Sequence, residues 1–392
     1  MQDYDAIIVG AGFSGAVMAE QLASELDWQI LVLEQRDHVA GNCHDGKTRD
    51  GITIHHYGPH LFHTSKQRVW EYLSRFSEWK PYHHKVLAEV DGCRIPLPFN
   101  LNSLRMVFPA DRALELERKL LESYGKDSRV SILTLREAGD PDLLEVADWI
   151  YNRVFVNYTA RQWGVDPEDI SPDVLGRVPV VLSHDDRYFQ DVYQAIPLSG
   201  YTRMIESMLD HPNITVQTNQ QALSRFELVD GNGIRFDGRP FEGSLIYTGM
   251  LDELFGYCHG ELPYRSLKFE FETLDYPYFQ SNTTVNYPNE STFTRITEFK
   301  HILQEHSDRT VIVTEYPQEY DRQDQRKNIP YYPVFTAENQ RRYDRYRSLA
   351  TAYPQLTALG RLAEYRYLNM DDAVDNALSA ADKLITGVRA GC

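Results

Sequence analysis

Three observations in this sequence point to an α/β fold. An apolar run, Asp5-Ala6-Ile7-Ile8-Val9, meets the turn Gly10-Ala11-Gly12-Phe13-Ser14-Gly15. A helical stretch follows, and then a second apolar run, Ile30-Leu31-Val32-Leu33, ends in Glu34. Later segments add a block of helical periodicity and a block of alternating strands. The expected architecture is a Rossmann-like dinucleotide-binding domain carrying a helical-bundle insert and an antiparallel β-sheet insert.

The opening segment is the most specific. Gly10 permits a tight turn, Gly12 lets the backbone approach a pyrophosphate, and Gly15 lets the helix pack close to the strand. The helix start then presents unpaired N–H groups to phosphate. Glu34 closes the second apolar run, at the spacing from Gly15 where a carboxylate can accept hydrogen bonds from an adenosine ribose. These residues imply a dinucleotide, without separating FAD from NAD.

Residues 36–65 are rich in Gly, His and Asn and are expected to form a long loop near the ligand. Lys85 to Val90 alternates, Asp91-Gly92 is a hairpin signal, and Cys93 to Leu97 returns, with Pro96 and Pro98 placing that strand at a sheet edge. From about 102 to 165 the pattern is helical. Asp111 is expected to cap a helix with Ala113, Leu116, Leu120, Leu121 and Tyr124 inward, stopped by Gly125. Asp140-Pro141 starts another, with Leu143, Val146, Ala147, Ile150, Tyr151 and Val154 on one stripe. Prolines 167, 172 and 179 break the pattern between 164 and 190. Segments 214–249, 266–273, 283–287, 292–299 and 309–316 are β-like, and helices are expected at 337–351 and 371–385. The resulting division is discontinuous: 1–80, 200–260 and 336–392 for the nucleotide domain, 100–190 for the helical domain, and 81–99 with 261–335 for the sheet domain.

Composition narrows the function. A chain of 392 residues can bury a large core, and its net charge of −17 argues against a general nucleic-acid or anionic-membrane surface. An anionic ligand therefore needs a locally basic site. The four cysteines are scattered, with no CxxC, so a zinc site or disulfide framework is not expected. No basic-then-apolar leader and no 18-residue apolar run occurs, which gives the expectation of a cytoplasmic protein.

Several segments carry candidate chemistry. His60 and His63 in Tyr57-Gly58-Pro59-His60-Leu61-Phe62-His63 could be ligands, but no third metal ligand is evident, and a locally hydrogen-bonded loop fits equally. Asn157 to Gly164, followed by Gly176-Arg177, suits a base-stacking lid with a phosphate clamp, or else a core Trp and a solvated Arg. Asn286 and Arg295 lie on adjacent β-like segments. Gly360-Arg361 precedes the last helix, where Asp371 or Asp372 could be an N-cap.

Taken together, VGAGFSGAV, GNCHDGKTRDGITIHHYGPHLFHT, NYTARQWG, IPLSGYTRMIESML, FTRITEFKH and GRLAEYRYLNMD, in that order, resemble the bacterial UDP-galactopyranose mutase family. The resemblance implies an isomerase that interconverts UDP-galactopyranose and UDP-galactofuranose for cell-surface polysaccharides. Its cofactor is FAD, active when reduced, with N5 as the nucleophile on the anomeric carbon and no net redox change. By matching motif, Gly10, Gly12, Ser14, Gly15, Glu34 and Asn42 hold the ADP half of FAD. His60 and Leu61 lie against the isoalloxazine, and Arg361 and Met370 touch the flavin end. His63, Arg177 and Arg295 are the implied catalytic residues, the two arginines clamping the diphosphate. Phe155, Tyr158, Thr159 and Trp163 form the uridine pocket and flap. His84, Tyr188, Asn286, Tyr331 and Tyr367 add substrate contacts.

Implied partners are a UDP-sugar and a second copy in a homodimer, with neither nucleic acid nor membrane. One residue departs from the family pattern: Asn369 stands where many members have an acid. That keeps open a mutase for another nucleotide sugar, dTDP-fucopyranose or UDP-N-acetylgalactosamine. An FAD-dependent oxidase sharing the N-terminal fingerprint is the alternative from another class.

Overall fold

The computed structural model describes residues 4–164, 179–229, 233–289, 292–324 and 326–391. Arg177 and the Trp163 side chain fall outside the description. The opening motif folds as strand Ala6–Val9, helix Phe13–Leu26 and strand Ile30–Leu33. These strands lie in a five-stranded parallel sheet ordered Ile214–Gln217, Ile30–Leu33, Ala6–Val9, Ser244–Tyr247, Leu356–Ala358. The central strands are continuously apolar because both faces are covered. Helix Phe13–Leu26 and the C-terminal helix Met370–Gly391 pack on one face through Ala16, Val17, Ala19, Val374, Ala377 and Leu378. The last helix extends beyond the 371–385 expected. Asp371 and Asp372 lie in its first turn rather than at an N-cap position.

A second, seven-stranded sheet runs Tyr332–Pro333, Tyr264–Leu274, Thr310–Glu319, Arg295–Glu298, Thr284–Asn286, Val86–Val90, Cys93–Leu97. The Asp91-Gly92 hairpin forms, with both residues at positive φ, and its return strand is an edge. The sheet is not purely antiparallel: Thr284–Asn286 pairs parallel with Val86–Val90. That pair joins segments far apart along the chain (Thr284↔Val86), so no tight turn dictates its direction.

Segment 36–65 is more ordered than a long loop. It contains the hairpin Asp45–Lys47 with Thr53–His55 and the strand Phe62–Thr64. The last pairs with Tyr193–Pro197, a long-range contact invisible to local periodicity.

In the helical insert, Pro109 rather than Asp111 occupies the N-cap of Ala110–Tyr124. Asp140 caps Pro141–Ile150 as expected, its carboxylate accepting from the Asp142 N–H at 2.8 Å. That helix does not run on evenly. A π-turn at Tyr151–Phe155 interrupts it before Val156–Trp163. The extra residue in a π-turn rotates everything after it, a common device near functional sites.

Candidate active site

Two cavities, of about 490 and 660 Å³, lie side by side. Both are lined by His60, Arg361, Asn369 and Met370, so they adjoin at those four residues.

The first cavity sits at the carboxyl ends of the parallel strands, where open α/β sheets bind ligands. Gly10, Gly12, Ser14, Gly15, Glu34 and Asn42 all line it. Gly10 has φ +100°, and a Cβ there would stand 2.1 Å from Thr248 Oγ1. A Cβ on Gly15 would stand 2.0 Å from the Gly10 carbonyl oxygen. At Gly12, by contrast, the nearest atom to a Cβ would be Gly41 Cα at 3.9 Å, which leaves an open approach to the backbone. Gly12 is also the N-cap of Phe13–Leu26 and supplies no capping side chain, so the first helix amides have no side-chain cap. Glu34 is 5 % exposed and accepts N–H bonds from Ala11 at 2.8 Å and Arg36 at 2.9 Å. An ionised carboxylate has further lone-pair sites for a ribose.

Arg36 was not singled out from sequence. It stacks on Tyr57, 4.2 Å from the ring centroid, and donates to Asn42 Oδ1 at 2.8 Å. Its Nη1 is buried without a hydrogen-bond partner. A buried guanidinium nitrogen with no acceptor, lining the same cavity as a helix N-terminus, fits an anionic ligand. Together with the open Gly12 backbone, this donor set fits a dinucleotide.

At the junction, His60 Nδ1 lies 2.8 Å from the Gly58 carbonyl, and the His60 N–H donates to His55 Nδ1 at 2.9 Å. Burial, reinforced by His55, pushes His60 down to about 3, so its ring is neutral at physiological pH. Arg361 donates to the Leu368 carbonyl at 2.6 Å and lies over Tyr332 and Tyr367. Leu61 lines the second cavity rather than the first.

The second cavity gathers most of the remaining candidates. His63, His84, Phe155, Tyr158, Thr159, Tyr188, Asn286, Arg295, Tyr331 and Tyr367 all line it. Register explains Arg295. Opposite it across the sheet is Glu315, whose side chain is 2 % exposed. Arg295 Nε and Nη2 lie 2.9 and 2.7 Å from Glu315 Oε2. Burial opposes the charge on Arg295, but the Glu315 carboxylate outweighs it and holds the guanidinium protonated. Asn286 Oδ1, Tyr331 Oη and Glu315 Oε1 are buried with no hydrogen-bond partner. Three orphaned polar atoms on residues lining one cavity mark a site built for a polar ligand.

His84 is buried and pushed down to about 3, first by desolvation and then by Arg295 and His63. His63 stacks on Phe189 at 3.6 Å between centroids and pairs with Asp191 at 2.8 Å. Glu315, Asp191 and Phe189 line the cavity and were missed in the sequence. Glu315 alternates within a β-like run but declares no partner until the register is known.

Among the described residues, no group of three or more His, Cys, Asp or Glu could hold a metal ion. No helix among them is long and apolar enough to cross a membrane.

Comparison with known proteins agrees with this architecture. A family model for UDP-galactopyranose mutase matches residues 153–367, and one for an NAD(P)-binding Rossmann-like domain matches residues 8–76. The chain is 34 % identical over 387 residues to the UDP-galactopyranose mutase of Mycoplasma pneumoniae, covering 97 % of this chain and 96 % of that one. It is 32 % identical over 385 residues to the dTDP-fucopyranose mutase of Escherichia coli, covering 97 % and 98 %. Among solved structures, a reduced UDP-galactopyranose mutase superposes with a TM-score of 0.69 at 17 % identity, covering 98 % of this chain and 94 % of that one. With a family model spanning more than half the chain and a relative 34 % identical over nearly its full length, this protein belongs to the UDP-galactopyranose mutase family.

Proposed function

We propose that the protein is a flavin-dependent isomerase that interconverts UDP-galactopyranose and UDP-galactofuranose. The observation that carries this reading is the junction at His60, Arg361, Asn369 and Met370, where a dinucleotide cavity opens onto a second cavity with a charge-balanced arginine. Gly10, Gly12, Ser14, Gly15, Glu34, Asn42, His60, Leu61, Arg361 and Met370 would hold FAD, which when bound and reduced would supply a nucleophilic N5 for the anomeric carbon. The protein's residues bind, orient and balance charge. Arg295 meets the substrate diphosphate; Arg177, the second cation its motif implies there, lies outside the described residues. Phe155, Tyr158 and Thr159 contact the nucleoside, and Trp163 is assigned to the same pocket by its motif alone. His84, Tyr188, Asn286, Tyr331 and Tyr367 complete the polar wall, and the orphaned oxygens of Asn286 and Tyr331 gain partners when the sugar nucleotide enters. We place the enzyme in the cytoplasm as a homodimer, where UDP-sugars are made.

Dithionite-reduced protein, given UDP-galactose, UDP-N-acetylgalactosamine and dTDP-fucose in parallel, is expected to form furanose product from UDP-galactose fastest. Absence of product from all three, with flavin bleaching on substrate addition to the oxidised protein, would establish an oxidase instead.

The dTDP-sugar reading rests on the Escherichia coli relative and on Asn369, which lines the junction as a neutral amide. Asn369→Asp discriminates. If the amide is a tolerated replacement, turnover of UDP-galactose stays within about tenfold, a change of roughly 1.4 kcal/mol in the barrier. A collapse of turnover would show that this active site requires a neutral group there.

A further inference from the structure

His63 sits in the middle of strand Phe62–Thr64. Phe62 and Thr64 point into the core, so alternation turns His63 to the opposite side, where it lines the second cavity. Its Nδ1 is 2.8 Å from Asp191 Oδ2, and Ser65 Oγ donates to Asp191 Oδ1 at 2.9 Å. The turn bearing Asp191 is itself held. The Gln194 side-chain amide donates to the backbone carbonyls of Phe189, at 3.2 Å, and Asp191, at 2.8 Å. Phe189 lies flat against the imidazole, with 15° between the planes. Ring tilt, ring face and one ring nitrogen are thus all constrained, and Nε2 has no protein partner among the described residues.

We propose that Asp191 is a positioning residue that locks His63 with its proton on Nδ1 and aims Nε2 at the sugar as a proton-exchange group. This rests on the mutase reading above. An ionised carboxylate only accepts hydrogen bonds, so Nδ1 must be the donor in both charge states of the ring. Only Nε2 then changes protonation. Pyranose–furanose exchange needs such a group. The ring oxygen released from C1 must gain a proton, and the hydroxyl that bonds to C1 in its place must lose one. One proton given by Nε2 and one returned to it balance the exchange. Other titratable groups around His63 are less suited to this. His84 is buried and held neutral, and Asp371 is buried with Thr64 Oγ1 donating to it at 3.0 Å. Arg295 faces His84 and is committed to Glu315. The Asp191 carboxyl is held below the usual range chiefly by the His63 hydrogen bond.

The test uses flavin-loaded protein, Asp191→Asn, and Ser65→Ala as a milder perturbation that leaves the carboxylate in place. In Asp191→Asn, kcat is expected to fall by about 10- to 100-fold, with KM for UDP-galactose nearly unchanged. The kcat–pH profile is expected to change shape, because the proton-exchange group has lost the carboxylate that fixes its tautomer. Ser65→Ala changes the profile in the same way by less. In 15N-histidine NMR spectra, His63 of the unaltered protein shows Nδ1 protonated across the titration, and the Asn variant loses that single tautomer. A pH profile that keeps its shape and merely scales down, or a rise in KM alone, would make Asp191 a structural latch or a binding contact and overturn the proposal. Failure of the unaltered enzyme to turn over any nucleotide sugar would instead overturn the mutase reading, while the NMR experiment still reads the His63–Asp191 pair.

Discussion

Arg295→Ala is expected to lower kcat/KM for the nucleotide sugar by about 10²- to 10³-fold, while the purified protein retains its flavin. The guanidinium lines the second cavity, whereas the glycine turn proposed to anchor the dinucleotide lines the first. Its loss removes a cation from the proposed diphosphate site and also strands Glu315, whose side chain is 2 % exposed. An uncompensated buried charge costs about 3–5 kcal/mol, so the thermal midpoint should fall as well. Two effects are thereby mixed, and a second variant separates them. Arg295→Met combined with Glu315→Leu removes both charges and is expected to recover most of the thermal loss but none of the activity. The measurements are steady-state kinetics of reduced enzyme, UDP titration by calorimetry, and scanning calorimetry. Near-normal turnover in Arg295→Ala would remove this arginine from the site.

Gly15→Ala is expected to yield protein with little or no bound flavin. A Cβ at this position would lie 2.0 Å from the Gly10 carbonyl oxygen, 3.1 Å from its carbon and 3.3 Å from Ile8 Cγ2. Two of these three atoms are backbone, so no rotamer change relieves the contact. Either the helix start moves off the strand or the turn opens, and each displaces the amides proposed to face the phosphates. The readout is the ratio of flavin to protein absorbance after purification, followed by FAD titration of the stripped protein. The control is Gly387→Ala in the last helix, where nothing lies within 4 Å of the added carbon. It should keep its flavin and gain about 0.4–1 kcal/mol of stability. A fully flavinated Gly15→Ala would contradict the dinucleotide reading of the turn.

Much of the first cavity was legible because its signals are local. Gly10, Gly12, Gly15 and Glu34 lie within one strand–helix–strand unit, and their spacing carries geometry directly. The Asp91-Gly92 hairpin and the Asp140 cap are equally short-range and formed as read. Readings failed where a distant segment intervened. Residues 53–55 and 62–64 read as loop because their strand partners are a hairpin return and a segment far along the chain, Thr64 pairing with Tyr193. Asp111 read as a cap because Pro109 offered no side-chain acceptor to suggest the earlier start.

The sequence by itself determined the dinucleotide turn, the classes and approximate extents of most elements, and, through six ordered motifs, the family. The second cavity depended on tertiary structure. Register across strands Arg295–Glu298 and Thr310–Glu319 set Glu315 against Arg295. Pairing of Phe62–Thr64 with Tyr193–Pro197 brought Asp191 to His63. Placement of the Met370–Gly391 helix beside the first put Asn369 and Met370 where the two cavities meet. The physical reason is one of range. Turns, caps and periodicity act within a few residues, whereas partners of a charge or an imidazole are chosen by packing between elements that lie far apart along the chain.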